Sequence, residues 1–283
     1  MNNFLQFPYY WLRASGVHRR YWETVAVMQN DFPDKSELGK TRICIIVSTG
    51  RTGTAWIAKL INSSLGVHAV HEPIMHEQIA HAEALSRPES IEKYANFRIR
   101  YINAQCAKGS WDVYVEVNGA LRRHVHAIKN ICPQIYMPHV IRDGRDVVSS
   151  IMNRPKSLTI RDPCYFFVNG HVADIDNQWS KLSKFEKACC LWNSDNEYMS
   201  KYCDATIKFE EMLSDYDKFV EILCDPIGIL IERDKWKKSL NQIENSNKKI
   251  TFPKWEHWSS KEKSAFFEIC GKTMEKYGYD MEQ

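Results

Sequence analysis

A short polar loop with two glycines and an arginine lies between two apolar segments of the sequence. Ile43 to Val47 is an unbroken apolar run of mostly β-branched residues, which predicts a strand buried on both faces of a parallel sheet. The loop Ser48 to Thr54, STGRTGT, follows at once, and helical periodicity resumes over Trp56 to Ile61. A glycine loop between a strand and a helix presents backbone N–H groups to an anion, and the Arg51 guanidinium can pair with phosphate or sulfate oxygens.

This loop differs from the Walker A loop of nucleoside triphosphatases, which requires G-x-x-x-x-G-K-[ST]. Gly53 follows Gly50 too closely, and no lysine precedes Thr54. A tight turn that binds no ligand therefore stays an alternative for this loop taken alone.

A second arginine and a serine flank the end of a later predicted strand. Arg142 follows the apolar segment Ile135 to Ile141, a helix begins near Gly144, and Ser150 lies two turns into that helix. An arginine from a strand end and a serine from the next helix can hold one phosphate between them. The alternative is a surface pair of Arg142 with an aspartate at the helix start.

Acidic and amide side chains follow two other predicted strands. Glu72 follows the short strand Val67 to His71, and Glu116 and Asn118 lie at the end of the strand Asp112 to Asn118. Ligands of open α/β sheets bind at the carboxyl ends of the strands, where the glycine loop also lies. Glu72 is therefore a candidate for chemistry, with a capping or surface role as an equal alternative.

Two groups of ionisable residues are interpreted as solvent-exposed rather than as sites. The spacing of His76 and His81 does not place both rings on one helical face, so we expect no metal there. We expect these histidines and the nearby Glu77 and Glu83 to be solvated. The amphipathic segment from Leu121 to Ile131 predicts a helix with an exposed basic face, formed by Arg122, Arg123, His124 and His126.

Composition limits the classes of protein to consider. The 283 residues include 38 basic and 35 acidic ones, and the net charge of +3 does not indicate a nucleic-acid-binding protein. Nine cysteines without a C-x-x-C pair favour reduced thiols in a cytoplasmic protein. No apolar stretch approaches the roughly 20 residues that span a bilayer, and residues 1–30 lack the apolar segment of a signal peptide.

Taken together, four segments resemble the sulfotransferase family, whose members use 3′-phosphoadenosine 5′-phosphosulfate (PAPS). STGRTGTAW resembles the β-loop-α motif of the family, and VIRDGRDVVSS resembles its R-[DN]-x-[RK]-D-x-x-x-S motif. Trp192 followed by IKFEEM resembles the W…RYEDL segment, and CGKTMEKYGY is similar to the usual ending. The resemblance runs from about residue 42 to the C-terminus, and it is to the carbohydrate-type and bacterial members.

The resemblance implies an α/β, P-loop-like three-layer fold with a central, mainly parallel sheet flanked by helices. One domain would span residues 1–283, with residues 1–40 as an N-terminal extension packed on it. The implied reaction is sulfuryl transfer from PAPS to a hydroxyl or amine of a small-molecule or glycan acceptor, without a metal; carbohydrates and lipids are candidate acceptors. We expect the residues that determine the choice of acceptor to lie in the aromatic N-terminus and in the loop over 154–178.

The resemblance also assigns residues to the nucleotide. The 3′-phosphate is expected between Arg142 and Ser150, and Trp56 matches an aromatic position that stacks on adenine, with core packing as its alternative. Lys248 and Lys249 resemble the basic pair of a loop that closes over PAPS, although the glycine that follows the pair in the family is missing. The residues expected to bind the 5′-phosphosulfate are Arg51, Thr52, Gly53, Thr54 and Ala55.

A His-Glu-Pro segment at 71–73 resembles the catalytic carboxylate segment of carbohydrate-type and bacterial members. We expect Glu72 to accept the proton of the acceptor and Arg51 to stabilise charge that grows on the leaving oxygen. His71, Glu116 and Asn118 are expected to contact the acceptor, and the first two are rival bases. Cytosolic members use a histidine after the strand that ends here with Glu116 and Asn118.

Two other functions stay open at this stage. A P-loop nucleotide kinase or another phosphotransferase would share the fold but require magnesium. A non-catalytic module would bind the nucleotide without turnover.

Overall fold

The computed structural model describes residues 3–30, 40–168, 179–241 and 252–280, with side chains from residue 7 onward. Lys248, Lys249 and residues 169–178 of the predicted acceptor loop lie outside the described residues.

Within the described ranges, five strands form one parallel sheet in the order β2-β3-β1-β4-β5. The strands predicted at residues 43–47, 67–71, 112–118 and 135–141 are confirmed, and so is the α/β fold with a central parallel sheet. The central strand pairs Ile46 with Val117 on one side and Ser48 with Val140 on the other, so three strands end at the same edge. The strands are β1 Arg42–Ser48, β2 Val67–His71, β3 Val113–Val117, β4 Pro138–Ile141 and β5 Ala205–Lys208.

Helices connect these strands and cover the sheet. A capping box at Ser259 begins the last helix, because the Ser259 N–H donates to the Glu262 carboxylate and the Glu262 N–H donates to the Ser259 hydroxyl. The described α-helices are α1 Asn3–Asn30, α2 Thr54–Ile61, α3 Gln78–Ser86, α4 Ser90–Lys108, α5 Val125–Ile131, α6 Gly144–Met152, α7 Lys184–Tyr202, α8 Phe209–Ser214, α9 Tyr216–Leu223, α10 Arg233–Leu240 and α11 Ser260–Lys276. Short 3₁₀ helices cover Gly119–Arg123, Trp179–Lys181, Asp225–Ile227 and Trp255–His257.

Alternate residues of β1 enter two separate core layers. Ile43, Ile45 and Val47 join a cluster with residues of α1, α4 and α5. Cys44 and Ile46 join a second cluster with residues of α2 and α9. Burial on both faces explains why this strand is an unbroken apolar run.

The N-terminal extension contains the long helix α1, which the sequence pattern did not predict. Its buried side chains recur every three or four residues, at Ala14, Val17, Tyr21 and Val25, and the last three join the core cluster that contains Ile43. Within the described ranges, no helix combines the length and apolarity needed to cross a membrane. All nine cysteines are free thiols.

The predicted helix is confirmed over Val125–Ile131, but the prediction of an exposed basic face is wrong for Arg122, Arg123 and His124. The segment begins as the 3₁₀ helix Gly119–Arg123, and the guanidinium groups of Arg122 and Arg123 both lie 2.5 Å from the buried carboxylate of Asp195 on α7. His124 is fully buried as well, whereas His126 is exposed. A carboxylate from a distant helix supplies the partner that makes this burial favourable, and local periodicity does not show such a partner.

The prediction that Glu77, His81 and Glu83 are solvated is also wrong, although His76 is exposed. Glu77 forms a buried ion pair of 3.2 Å with Arg98, and His81 Nε2 lies 3.2 Å from Asp195. In the part of the chain that the structure describes, no group of three His, Cys, Asp or Glu residues is arranged to hold a metal ion.

Candidate functional site

The loop between β1 and α2 passes through left-handed backbone at three positions. The φ angle is 79° at Gly50, 63° at Arg51 and 65° at Gly53. A Cβ at Gly53 would lie 2.6 Å from the ring of Phe209, so the ring and the φ angle both require glycine there. Left-handed residues in a tight loop are typical of the backbone concavities that bind anions.

Two threonine hydroxyls in this loop have no hydrogen-bond partner among the residues that the structure describes. Thr52 is 0 % exposed, and neither its Oγ1 nor the buried Oγ1 of Thr49 is paired within the described structure. Unpaired buried polar atoms are uncommon because each loses the hydrogen bonds that water would make. These hydroxyls therefore fit the oxygens of a bound phosphate or sulfate group.

Helix α2 begins directly after the loop. Its N-cap is Gly53, which offers no side chain to the first backbone N–H groups of the helix. His71 Nε2 lies 2.8 Å from the Thr54 hydroxyl, so the end of β2 adjoins the start of α2. The structure thus brings His71, at the carboxyl end of β2, to the end of the loop.

Three arginines converge on the loop. The Nε of Arg51 donates to the Ser150 hydroxyl at 2.7 Å, and the Nη1 of Arg142 donates to the backbone carbonyl of Arg51 at 2.9 Å. Burial lowers the pKa of the Arg51 guanidinium, and the charges of Arg154 and Arg142 lower it further, while Glu72 acts in the opposite direction. An anion bound here would relieve the repulsion among these cations.

Arg142 is held in place by its neighbours and keeps one donor free. Its Nη2 donates to Asp146 at 2.6 Å, and its guanidinium stands 5.0 Å from the centre of the Phe209 ring. Its Nε is buried without a partner within the described structure. This free donor is consistent with a phosphate site, and Arg51 contacts both Arg142 and Ser150.

The turn from β4 into α6 is fixed by side chains behind the site. Trp192 of α7 donates its Nε1–H to the carbonyl of Arg142 at 3.1 Å. A Cβ at Gly144 would lie 3.0 Å from Trp192 and 3.1 Å from Phe266, so these rings pack directly on the start of α6. The side chain of Asp143 caps the helix by accepting from the N–H of Arg145 at 2.8 Å.

Glu72 lies at the edge of the loop with an exposed side chain. Its φ angle is 41°, and its N–H donates to the carbonyl of Val117 at 3.2 Å. A Cβ added to Gly119 would lie 3.6 Å from both the Glu72 Oε1 and the Gly50 nitrogen. The carboxylate is therefore close to Gly50 at the start of the loop, at the carboxyl ends of the strands, where the sequence predicted it. Its left-handed backbone is uncommon for a glutamate.

Glu116 and Asn118 lie in a different environment. Both are 0 % exposed, and the Glu116 carboxylate pairs with Arg98 and accepts from the Tyr114 hydroxyl at 3.2 Å. The Asn118 amide donates to Glu116 at 2.6 Å and to Glu77 at 2.7 Å. These side chains already satisfy one another inside the protein, so the predicted contact with an acceptor has no support in this geometry.

Burial alone would disfavour the charge of Arg98, but Glu116 and Glu77 raise the pKa of its guanidinium above the ordinary value. Burial raises the pKa of Glu77, and the charge of Arg98 opposes that rise. The network therefore holds a charged arginine between two carboxylates behind the loop.

The remaining predicted nucleotide residues are placed less directly. Trp56 is 7 % exposed, belongs to a core cluster and donates its Nε1–H to the carbonyl of Ser239 at 2.9 Å. Its indole therefore packs in the core, which was the alternative to stacking on adenine. Ala55 is exposed at the start of α2. Lys249 lies outside the described residues.

Sequence reasoning missed a buried polar network beside the site. His81 Nδ1 lies 2.8 Å from the Tyr165 hydroxyl, and Arg122 donates to Tyr165 at 3.2 Å and to the carbonyl of Gly119. Burial lowers the pKa of His81 to about 4, and the charge of Arg122 contributes to the shift. The sequence also gave no role to Arg154, although a third arginine one turn beyond Ser150 was a visible signal.

The fold matches solved sulfotransferase structures. Sulfotransferase STF9 from Mycobacterium avium is 11 % identical and aligns over 90 % of this chain and 82 % of its own, with a TM-score of 0.54. A sulfotransferase from Alicyclobacillus acidocaldarius is 11 % identical over 85 % and 97 % of the two chains, with a TM-score of 0.47. Mouse sulfotransferase SULT7A1, complexed with PAP, is 15 % identical over 84 % and 85 %, with a TM-score of 0.45.

No protein-family model and no curated protein matches the sequence. The chain therefore has the α/β fold of the sulfotransferases, with a P-loop-like arrangement of β1, loop and α2. Identity this low establishes the fold, and the activity rests on the residues of the site.

Proposed function

We propose that this protein transfers the sulfuryl group of PAPS to a hydroxyl or amine of an acceptor molecule. The observation that carries the proposal is the convergence of Arg142 and Ser150 on Arg51, next to a loop with buried, unpaired threonine hydroxyls. These groups offer two adjoining anion sites, one on the loop and one at the start of α6. A nucleotide with phosphate groups at both the 5′ and 3′ positions matches that pair.

The loop would hold the 5′-phosphosulfate end. The hydroxyls of Thr49 and Thr52, the N–H groups at the start of α2 and the Arg51 guanidinium are the donors available there. Arg142 and Ser150 would hold the 3′-phosphate, with the free Nε of Arg142 as a charged donor. Phe209 keeps the Arg142 guanidinium in place.

PAPS supplies a sulfuryl group on a phosphate leaving group, so the bond from the acceptor oxygen or nitrogen to sulfur forms as the sulfur–phosphate oxygen bond breaks. Glu72 is the proposed base, because it is exposed and lies next to the start of the loop. Its carboxylate would take the acceptor proton, and Arg51 would meet the negative charge that develops on the leaving oxygen. Glu116 is left out of this mechanism because its carboxylate is buried on Arg98.

The experiment is a transfer assay with ³⁵S-labelled PAPS and a panel of phenols, alcohols, amines and glycans, run in EDTA. We expect labelled product without added metal, and its loss in Arg51→Ala. A phosphotransferase would instead show magnesium-dependent transfer from ATP. Nucleotide binding without transfer to any acceptor on the panel would favour the non-catalytic module.

A further inference from the structure

A cavity of about 330 Å³ lies between α7 and the segment that follows α6. Its size falls within the lower part of the range for small-molecule sites. The walls are mostly apolar and aromatic, and two lysines of α7, Lys184 and Lys187, complete them. The apolar part of the lining includes Leu158, Ile160, Tyr165, Phe166 and Trp179.

The two lysines differ in how their charges are satisfied. Lys184 donates to the carbonyls of Met152 at 3.2 Å and Arg154 at 2.6 Å, so its ammonium group is largely occupied. The Lys187 ammonium lies 5.4 Å from the centre of the Trp179 ring, and no carboxylate pairs with it among the described residues. Burial lowers the pKa of Lys187, which shows that its charge is partly desolvated. An anionic group of a ligand would supply the missing partner.

Two chains of contacts lead from the walls of the cavity to the proposed transfer site. On one side, the backbone carbonyl of Arg154 accepts a hydrogen bond from Lys184, and the charge of Arg154 lowers the pKa of Arg51. On the other side, the Tyr165 hydroxyl accepts from Arg122, which also donates to the carbonyl of Gly119. Gly119 lies next to the Glu72 carboxylate, because a Cβ added to Gly119 would lie 3.6 Å from the Glu72 Oε1.

We propose that this cavity binds the acceptor, and that the acceptor carries an aromatic or other apolar group together with an anionic substituent that pairs with Lys187. The acceptor role rests on the proposed function, whereas the binding of an aromatic anion does not. Leu158 and Phe166 would contact the apolar body, and Trp179 would hold the ammonium in place beside it. The reactive hydroxyl or amine would then extend toward Glu72.

Binding is tested with a matched pair of probes that share one aromatic body. 8-Anilinonaphthalene-1-sulfonate carries a negative charge, and N-phenyl-1-naphthylamine is neutral. We expect Lys187→Met to weaken binding of the sulfonate about 10-fold, which is the effect of one charge-assisted hydrogen bond. The affinity for the neutral probe should stay within about twofold of the wild-type value. Lys181→Met is the control, because Lys181 is an exposed lysine in the 3₁₀ helix Trp179–Lys181, outside the cavity lining, and it should change the affinity of neither probe.

A second variant shows whether the probes bind in this cavity or elsewhere on the surface. Phe166→Ala should weaken both probes, because it removes part of the apolar wall rather than the charge. Unchanged sulfonate affinity in Lys187→Met, or unchanged affinity for both probes in Phe166→Ala, would overturn the assignment of this cavity.

The acceptor role is tested with 4-hydroxyphenylpropionate and its methyl ester in the labelled transfer assay. We expect a lower KM for the free acid in the wild type, and Lys187→Met should abolish that preference with little change in kcat for the ester. Preference for the ester in the wild type would overturn the acceptor role. Probe binding as expected with no transfer to any acceptor would refute the proposed function and leave the aromatic-anion site established.

Discussion

Replacing Arg142 with alanine separates its two possible roles, recognition of a 3′-phosphate and support of the loop. Its Nη1 donates to the carbonyl of Arg51 at 2.9 Å, so its loss loosens the loop and weakens every nucleotide bound there. Its free Nε, by contrast, would act only on a nucleotide with a 3′-phosphate. The ratio of the affinities for 3′-phosphoadenosine 5′-phosphate and adenosine 5′-monophosphate therefore isolates the second role.

The expected size follows from the kind of contact. A hydrogen bond to a charged group contributes roughly 1.5–3 kcal/mol, so Arg142→Ala should reduce the affinity ratio about 10- to 150-fold. Ser150→Ala removes a neutral hydroxyl, whose hydrogen bond contributes about 1 kcal/mol. This variant should therefore reduce the affinity ratio roughly fivefold. Isothermal titration calorimetry of both nucleotides with each variant measures the two ratios.

Arg145→Ala is the matched control, because Arg145 lies three residues after Arg142, in the first turn of α6. The guanidinium of Arg145 is bound by Asp143 at 2.6 Å, so its removal should leave the affinity ratio unchanged. The reasoning is refuted if Arg142→Ala weakens both nucleotides by the same factor, because Arg142 would then support the loop without touching the 3′-phosphate.

Four further outcomes are expected. Arg51→Ala should lower kcat more than it weakens the desulfated nucleotide, and equal losses would make Arg51 a simple binding residue. Glu72→Gln should keep nucleotide binding and lose about 10²–10⁴ in transfer rate, and a rate within a few-fold of wild type would remove it as the base. Glu116→Gln should lower the free energy of unfolding in urea by about 3–5 kcal/mol, because it breaks the buried pair with Arg98; a change below about 1 kcal/mol would contradict that role. Burial lowers the pKa of His139 to about 4 in the folded protein, from 6.5 in the unfolded chain, so the unfolded state binds the extra proton between these values. His139 should therefore contribute about 1.4 kcal/mol per pH unit to the fall of the unfolding free energy on acidification through that window. His139→Gln should reduce the slope by that amount, whereas an identical slope would contradict the assignment.

The parts of the fold and site that local patterns determine could be predicted from the sequence. The apolar run before Ser48 and the glycines after it specify the strand and the loop, because burial on both faces and left-handed backbone each restrict residue type. The meeting of Arg142 and Glu72 at one edge followed from parallel strands, whose carboxyl ends lie together.

The parts that depend on a distant partner could not be predicted. The sequence pattern predicts that Arg122 and Arg123 are exposed, but Asp195 pairs with both of them in the interior. It also predicts that Glu116 is a site residue, but Arg98 pairs with its carboxylate. In each case a residue far along the chain supplies the charge that permits burial. The spacing of charged residues within one segment carries no information about such a partner.

The most direct measurement of the central claim is a crystal structure of the protein with 3′-phosphoadenosine 5′-phosphate. The 5′-phosphate should lie on the loop, within hydrogen-bond distance of the Thr52 hydroxyl, and the 3′-phosphate should lie between Arg142 and Ser150. A nucleotide bound with its phosphates exchanged between these positions, or bound away from the loop, would contradict the account.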